Sequence, residues 1–290
     1  MRVLVLGCKG QLGRCLNDQF INTAFEVIYT SRDQIDISDF KATKIKITDI
    51  APNVIINVSA YTSVDKAENN KATANLVNHL AVGNLAAVCF ELGCWLIHIS
   101  TDYVFDGNST LPYRELDKTN PRSVYGHTKL NGELAVQSSG CKYLIIRTAW
   151  VFSEYGNNFL KTMLRLANVN DELSIVGDQM GCPTYAQDIA KAIVDMLYSL
   201  NLGSSTSSTF HYCGDQLCSW YEFALVIFDE AKLFGFKAPS LVHSIQSSEY
   251  PTAAERPRYS ALNCHKIRNK FGVKTSDWKL GVKSCIIALS

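Results

Sequence analysis

The sequence predicts an α/β fold, a doubly wound parallel sheet with a smaller C-terminal lobe, and three observations lead there. Short apolar, β-rich runs alternate with segments of helical period through the first half, a three-glycine turn follows the first run, and the rhythm loosens after Trp150. At 290 residues, 47% apolar and 19% charged, the chain is long enough for one large α/β domain with an appended lobe, which excludes a disordered or fibrous class.

Strands are expected at 2–6, 26–30, 54–59, 95–100 and 144–149, where continuous apolarity implies burial on both faces of a parallel sheet. Helical spacing marks 11–22, 41–50, 71–92 and 124–138, giving a βαβαβ pattern with right-handed crossovers. Beyond Trp150 a helix is expected at 157–168, a strand at 173–177 and a helix at 185–200, followed by a Ser-rich surface loop at 203–208. A strand at 209–213, a helix at 219–234, a strand at 240–245, a loop through Pro251 and Pro257, and a closing helix near 276–288 complete the chain. No repeat of ~20 to 50 residues is present, which argues against a solenoid.

A formal net charge of +1 supplies no field to gather nucleic acid or an acidic membrane, so function is to be sought in a pocket for a small molecule. The ten cysteines contain no Cys-x-x-Cys and lie in apolar runs such as Ala87-Val88-Cys89-Phe90. Buried, reduced thiols in a cytoplasmic protein are expected. No run approaches ~18 consecutive apolar residues, and the N-terminus opens directly on a strand, so no membrane segment or cleavable signal is expected.

Gly7-x-x-Gly10-x-x-Gly13 follows the first strand and opens a helix. Missing Cβ atoms permit a tight turn and close approach of the backbone to a pyrophosphate, and the helix N-terminus adds positive potential. This is a Rossmann-type dinucleotide site, with Gln11 and Leu12 inside the turn, although the glycine spacing departs by one residue from Gly-x-Gly-x-x-Gly. The second strand ends in Tyr29-Thr30-Ser31-Arg32 and offers no acid for a ribose 2′-hydroxyl; Arg32 would meet a 2′-phosphate instead. NADPH is therefore the expected cofactor, with NADH as the alternative because Asp33 lies next door. Asp36 and Asp39 are expected to border the adenine, a role as helix N-cap being equally economical for Asp39.

Ser100-Thr101-Asp102 ends the fourth strand, and Tyr125-x-x-x-Lys129 opens the next helix. The i,i+4 spacing puts phenol and ammonium on one helical face, where the ammonium is expected to lower the phenol pKa from about 10 and to hold a ribose hydroxyl. Thr101 would bind the same substrate oxygen from the strand end. The histidines at 79, 98 and 127 lack metal-ligand spacing and are expected to be structural or surface residues.

At these residues the chain resembles the extended short-chain dehydrogenases of nucleotide-sugar metabolism. Further strings carry a narrower resemblance: Ala60-Tyr61-Thr62-Ser63-Val64-Asp65-Lys66-Ala67-Glu68, Ser100-Thr101-Asp102-Tyr103-Val104-Phe105-Asp106-Gly107, and Arg147-Thr148-Ala149-Trp150-Val151-Phe152. Asn157-Asn158-Phe159, Thr162-Met163-Leu164-Arg165, Asp178-Gln179-x-Gly181-x-Pro183-Thr184 and Arg256-Pro257 extend it over nearly the whole chain. Together they are similar to the dTDP-4-dehydrorhamnose reductase family. The resemblance implies NADPH-dependent reduction of the C4 ketone of dTDP-4-dehydro-β-L-rhamnose to dTDP-L-rhamnose, with Thr101, Tyr125 and Lys129 catalytic. It implies an NAD(P)-binding domain over 1–150, including Ala60, Tyr61 and Thr62 at the cofactor. A substrate-binding lobe over 151–290 would be partly interleaved with the end of the sheet. Tyr103 and Trp150 would wall the sugar beside Thr62 and Val64, while Asn158 and Arg256 would face the nucleotide diphosphate.

Some family members carry an acid two residues past the third glycine and another just after the Pro-Thr element, and these share a magnesium ion across a dimer. Here Cys15 and Gln187 stand there, so no metal is expected, and the chain is expected to be a monomer or weak homodimer. Two other readings stay open: a sugar-nucleotide epimerase or dehydratase, and a cofactor-binding regulatory subunit like the methionine adenosyltransferase β-subunit. Dehydratases of the class tend to show Asp-Glu after the Thr, where this chain has Asp102-Tyr103.

Overall fold

The computed structural model describes all residues except Leu202, Ser204 and Ser205. The first half alternates as expected: β1 (Arg2–Leu6), α1 (Gln11–Phe20), β2 (Glu26–Thr30), α2 (Phe40–Ile50) and β3 (Val54–Asn57). A short α3 (Val64–Asn69), where no element was expected, precedes α4 (Lys71–Asn75), a π turn at Leu76–Leu80 and α5 (Ala81–Leu92). Then come β4 (Trp95–Thr101), a single 3₁₀ turn at Asp102–Val104, α6 (Val124–Ser138) and β5 (Lys142–Thr148). All pairings among these strands are parallel. The continuous apolar runs find cover on both faces. Val3, Val5, Val54, Ile56, Ile97 and Ile146 join one core cluster, and Leu4, Leu6, Ile55, Leu96 and Ile145 join another.

The later elements are β6 (Val151–Phe152), α7 (Phe159–Val169), β7 (Glu172–Val176), β8 (Met180–Gly181) and β9 (Thr184–Tyr185). They continue through α8 (Ala186–Asn201), β10 (Ser208–His211), β11 (Cys218–Ser219), α9 (Trp220–Leu233), β12 (Leu241–Ile245), α10 (His265–Phe271) and α11 (Trp278–Leu289). Of the expected Ser-rich loop, Ser204 and Ser205 lie outside the described residues, and Ser208 already belongs to β10. Sheet order is β10-β5-β4-β3-β1-β2, so β10 returns from the second half to pair with β5, and α8 packs against α1. A third core, including Phe152, Leu160, Phe223, Trp278 and Ile286, lies under the remaining elements.

The stretch Lys71–Leu92 is long and apolar enough to cross a membrane by length and composition, a point the run-length argument missed. In this fold, α5 packs against α2, α6 and β4. Chain direction across the sheet reverses beside β1, between β2 and β3, and it is at such a switch point that a doubly wound sheet binds its ligand, in the crevice outside the carboxyl ends of the strands.

Candidate active site

The glycine turn is built at that crevice. Gly7 has φ +89°, and a Cβ there would lie 2.7 Å from Ser59 Oγ; one on Gly13 would lie 2.5 Å from Gly7 O and 2.6 Å from Cys8 Cα. Its backbone is pinned by Gly7 and Cys8 N–H groups donating to Thr30 O, at 2.9 and 3.1 Å. Gly10 caps α1 with no side-chain hydrogen bond, which leaves helix N–H groups for an anion. The cradle therefore fits a dinucleotide pyrophosphate. Gln11 reaches across to the lobe, accepting from Ser153 Oγ at 3.0 Å and Asn158 Nδ2 at 2.9 Å.

At the tip of β2, exposed Arg32 pairs with Asp36 at 3.0 Å, while Asp33 pairs with Lys9 of the glycine turn at 2.7 Å. The acid that blurred the cofactor preference is thus held by a cation, and Lys9 joins Arg32 as a second positive group beside the crevice. Asp39 caps α2 by accepting from Ala42 N, and Asp36 accepts from Ser38.

Behind the crevice, the π turn widens the helix at Asn78, whose side chain clamps the loop holding Ala60, Tyr61 and Thr62. Tyr61 N donates to Asn78 Oδ1 at 2.8 Å, and Asn78 Nδ2 reaches Tyr61 O and Thr128 Oγ1. The sequence reading did not mark Asn78: it took 71–92 as one regular helix and did not foresee the π turn, a feature frequent at functional sites.

Thr101 ends β4, and Ser123 caps α6 so that Tyr125, in its first turn, comes to Thr101. Gly126 is required beside Tyr125: a Cβ would lie 2.3 Å from Tyr103 O, so the 3₁₀ turn could not seat against α6. The rings of Tyr103 and Tyr125 meet edge to face at 5.5 Å. Thr101 Oγ1 donates to Asp102 Oδ1 at 2.9 Å and accepts from Tyr103 N at 3.2 Å. Asp102 Oδ2, like Thr148 Oγ1 at the end of the adjoining strand, is buried without a protein partner. The sequence reading named Asp102 only as part of a motif.

The expected lowering of the Tyr125 pKa is overturned. The side chain is only half-buried by surface, yet surrounding protein desolvates it and pushes the phenol up to about 12; Thr101 opposes this, and the Asp102 charge adds to it. Lys129 does not counter the rise because it points elsewhere, donating to Ile99 O at 2.6 Å and contacting His98 Nε2 at 3.3 Å. Burial draws the Lys129 amine down to about 8, against the pull of Glu133. Tyr125 therefore rests as a protonated phenol at neutral pH.

Trp150 has a positive φ of 48°, a strained conformation for a bulky residue, and stacks on Trp220 at 3.4 Å. Gly181 makes room for it, since a Cβ there would lie 2.4 Å from the Trp150 ring. Trp220 was invisible as a site residue from sequence, being one aromatic among many on its helix. Arg256 pairs with Asp65 at 2.8 Å, and Ala254 N donates to Asp65 Oδ1, which brings Arg256 near Thr62 and Val64. Asn158 caps α7 through Oδ1, and its amide nitrogen reaches Gln11, Ser153 O and Tyr155 O, so this side chain is committed within the protein.

Gln187, which stands where some family members carry a magnesium-binding acid, donates to Asp18 and Glu154; no group of three or more His, Cys, Asp or Glu arranged for a metal occurs among the described residues. Two surface hollows, of about 370 and 740 Å³, lie at the opposite end of the sheet near Cys94 and beside His79 on the outer helices, away from Thr101 and Tyr125.

Comparison with known proteins gives a match of residues 1–290 to the RmlD substrate binding domain family. A dTDP-4-dehydrorhamnose reductase of Sinorhizobium fredii is 42% identical, covering 100% of this chain and 98% of that protein. The crystal structure of a dTDP-4-dehydrorhamnose reductase from Clostridium acetobutylicum superposes with a TM-score of 0.92 at 39% identity, covering 100% and 99% of the two chains. One from Bacillus anthracis in complex with NADP gives 0.90 at 35% identity, covering 99% of each. With the Gly-rich cradle, the Thr101-Tyr125-Lys129 cluster and these full-length likenesses together, the chain belongs to the dTDP-4-dehydrorhamnose reductase family.

Proposed function

We propose that this protein reduces the C4 ketone of dTDP-4-dehydro-β-L-rhamnose to dTDP-L-rhamnose with NADPH. The observation that carries this reading is the meeting of Thr101, at the end of β4, with Tyr125, one turn before Lys129 on α6, in a sheet whose first strand ends in the glycine cradle. When bound, the nicotinamide supplies the hydride. Tyr125, kept protonated by its surroundings, gives its proton to the alkoxide oxygen formed at C4, and solvent restores it afterwards. Thr101 fixes the position of that oxygen from the end of β4. For Lys129 to hold a ribose hydroxyl, its amine would turn from His98 and Ile99 O toward the cofactor.

Gly7, Gly10, Gln11, Leu12 and Gly13 cradle the pyrophosphate, with Ala60, Tyr61 and Thr62 along the other wall. Arg32, assisted by Lys9, reads a 2′-phosphate, and Asp36 and Asp39 border the adenine. Tyr103, Trp150, Thr62 and Val64 enclose the sugar, and Arg256 faces the diphosphate. Asn158 contributes by fixing the loop that covers Gln11. On this reading residues 1–150 carry the cofactor and the wall of the sugar pocket, and 151–290 form the substrate-binding lobe that completes it, in a cytoplasmic monomer or weak homodimer.

The test is turnover with NADPH and dTDP-4-dehydro-6-deoxyglucose, with and without a 3,5-epimerase, the product being identified by NMR. Substantial turnover only with the epimerase is expected, because hydride transfer needs C4 within roughly 3 to 3.5 Å of the nicotinamide with its oxygen at the phenol, and one ring configuration meets both demands. Equal NADPH consumption without epimerase would overturn the assignment, and absence of turnover would favour a cofactor-binding subunit. Tyr125→Phe should lower turnover by about 10²–10⁴-fold while still binding NADPH.

A further inference from the structure

A row of buried polar side chains crosses the sheet beneath α6. Strand register puts Asn57 of β3 beside His98 of β4, Ser100 beside Arg147 of β5, and Arg147 beside His211 of β10. From above, α6 adds Lys129 and Glu133. Glu133 is satisfied, accepting from Ser100 Oγ at 2.5 Å and from Arg147 Nη2 at 2.6 Å. His211 is satisfied too. Arg147 can only donate to its Nε2, and Tyr113 O can only accept from its Nδ1, so both neighbours agree on an Nδ1–H imidazole.

His98 has no such agreement. It is fully buried, with Nδ1 3.2 Å from the Asn57 amide nitrogen and Nε2 3.3 Å from Lys129 Nζ. Asn57 cannot be turned to help, because its Oδ1 accepts Ser59 N–H at 3.0 Å. The amide therefore donates to Nδ1, and a neutral imidazole must carry its hydrogen on Nε2, aimed at Lys129. An ammonium there offers only hydrogens and no lone pair. An uncharged amine accepts the Nε2 hydrogen while still donating to Ile99 O.

We infer that His98, locked by Asn57 as the Nε2–H tautomer, is a positioning residue that favours the uncharged form of the Lys129 amine in the ligand-free enzyme by hydrogen-bonding it. Burial keeps His98 itself from charging, holding it well below its ordinary range. The groups facing Lys129 are consistent with this. Glu133, further along α6, favours the ammonium but is engaged by Arg147 from β5; β4 presents the neutral imidazole and β3 the uncharged Asn57. Arrival of the polyanionic cofactor then draws a proton onto Lys129, so that NADPH binding and proton uptake are coupled. That last consequence rests on the assignment of Lys129 to the cofactor-facing site, whereas the tautomer does not.

The experiment uses ligand-free protein labelled with ¹⁵N-histidine and ¹⁵N-lysine, followed by long-range ¹H–¹⁵N spectra from pH 6 to 9. Among the six imidazoles, the one lost in His98→Gln should stay neutral, with hydrogen on Nε2, throughout. Asn57→Asp places an acceptor at Nδ1; it should invert the tautomer and raise the Lys129 titration by about one pH unit or more. A wild-type His98 carrying hydrogen on Nδ1, or titrating in this range, would overturn the inference, as would an inverted tautomer that leaves Lys129 unmoved. The wild-type spectrum decides even if Asn57→Asp does not fold. Calorimetry of NADPH binding at pH 8.5 in buffers of different ionisation enthalpy should show net proton uptake; an Nε2–H His98 without that uptake removes Lys129 from the cofactor site and leaves the tautomer standing.

Discussion

Replacing Asp102 by asparagine should stabilise the protein above about pH 6, and the gain should vanish or reverse below about pH 4. Asp102 is 2% exposed, its Oδ1 accepts from Thr101, and its Oδ2 has no partner. Burial pushes its carboxyl from 3.8 up to about 6, with Thr101 and the nearby Ser260 only partly offsetting the desolvation. Between those two pH values the folded protein binds a proton that the unfolded chain has released, so stability falls as the pH rises through that window. A displacement of about 2 pH units corresponds to about 3 kcal/mol once the group is ionised. Asparagine keeps the oxygen that Thr101 needs and cannot ionise, but its amide must itself be desolvated, which reduces the gain to about 1–3 kcal/mol. Urea unfolding of both proteins at several pH values from 4 to 8.5 reads the difference directly. A gap that does not change with pH, or a variant less stable at pH 8, would refute this account of the unpartnered oxygen.

Glu133→Gln leaves the buried Arg147 guanidinium without its counter-charge and should cost about 3–5 kcal/mol in the same assay; a loss under about 1 kcal/mol would mean that the pair is not desolvated. Arg32→Ala should lower the ratio of kcat/KM for NADPH over NADH on the order of tenfold, with Lys9 retaining part of the preference; an unchanged ratio removes Arg32 from 2′-phosphate recognition. Gly13→Ala drives a Cβ into the backbone of Gly7 and Cys8 and should weaken NADPH binding at least about tenfold in a fluorescence titration, whereas near-normal affinity would show that the turn can shift.

The parts of the fold legible in the sequence were those with local causes. Val3 to Leu6 and Val54 to Ile56 are apolar at consecutive positions because both sheet faces are covered, and Gly7 to Gly13 sits where only missing Cβ atoms allow the turn. Tyr125 and Lys129 were legible for the same reason, since helical period alone puts them on one face. Glu133, the next residue of that i,i+4 series, was equally readable and passed unnoticed; so did the alternation of Leu96, His98 and Ser100 along β4, which puts His98 on the face that α6 covers. What was not legible depends on distant pairing. The two-residue strands β6, β8, β9 and β11 exist only through their partners, and α10 is too short to show a period. The sign of the Tyr125 displacement failed because spacing fixes which face Lys129 occupies, not which acceptor its amine chooses.

The position of β10 has a consequence for how the chain is made. Its partner β5 ends at Thr148 and β10 begins at Ser208, a gap of 60 residues. At about 5–20 residues per second of synthesis, β5 waits on the order of 3–12 s with its outer row of N–H and C=O groups unpaired. For that interval the nascent sheet presents an apolar edge, Leu144-Ile145-Ile146, open to pairing with another copy. Release of a chain cut shortly after Trp150 makes the interval permanent. Such fragments should therefore aggregate through that edge, and Lys142, at the start of β5, is the only charge on the strand before Arg147 to discourage it.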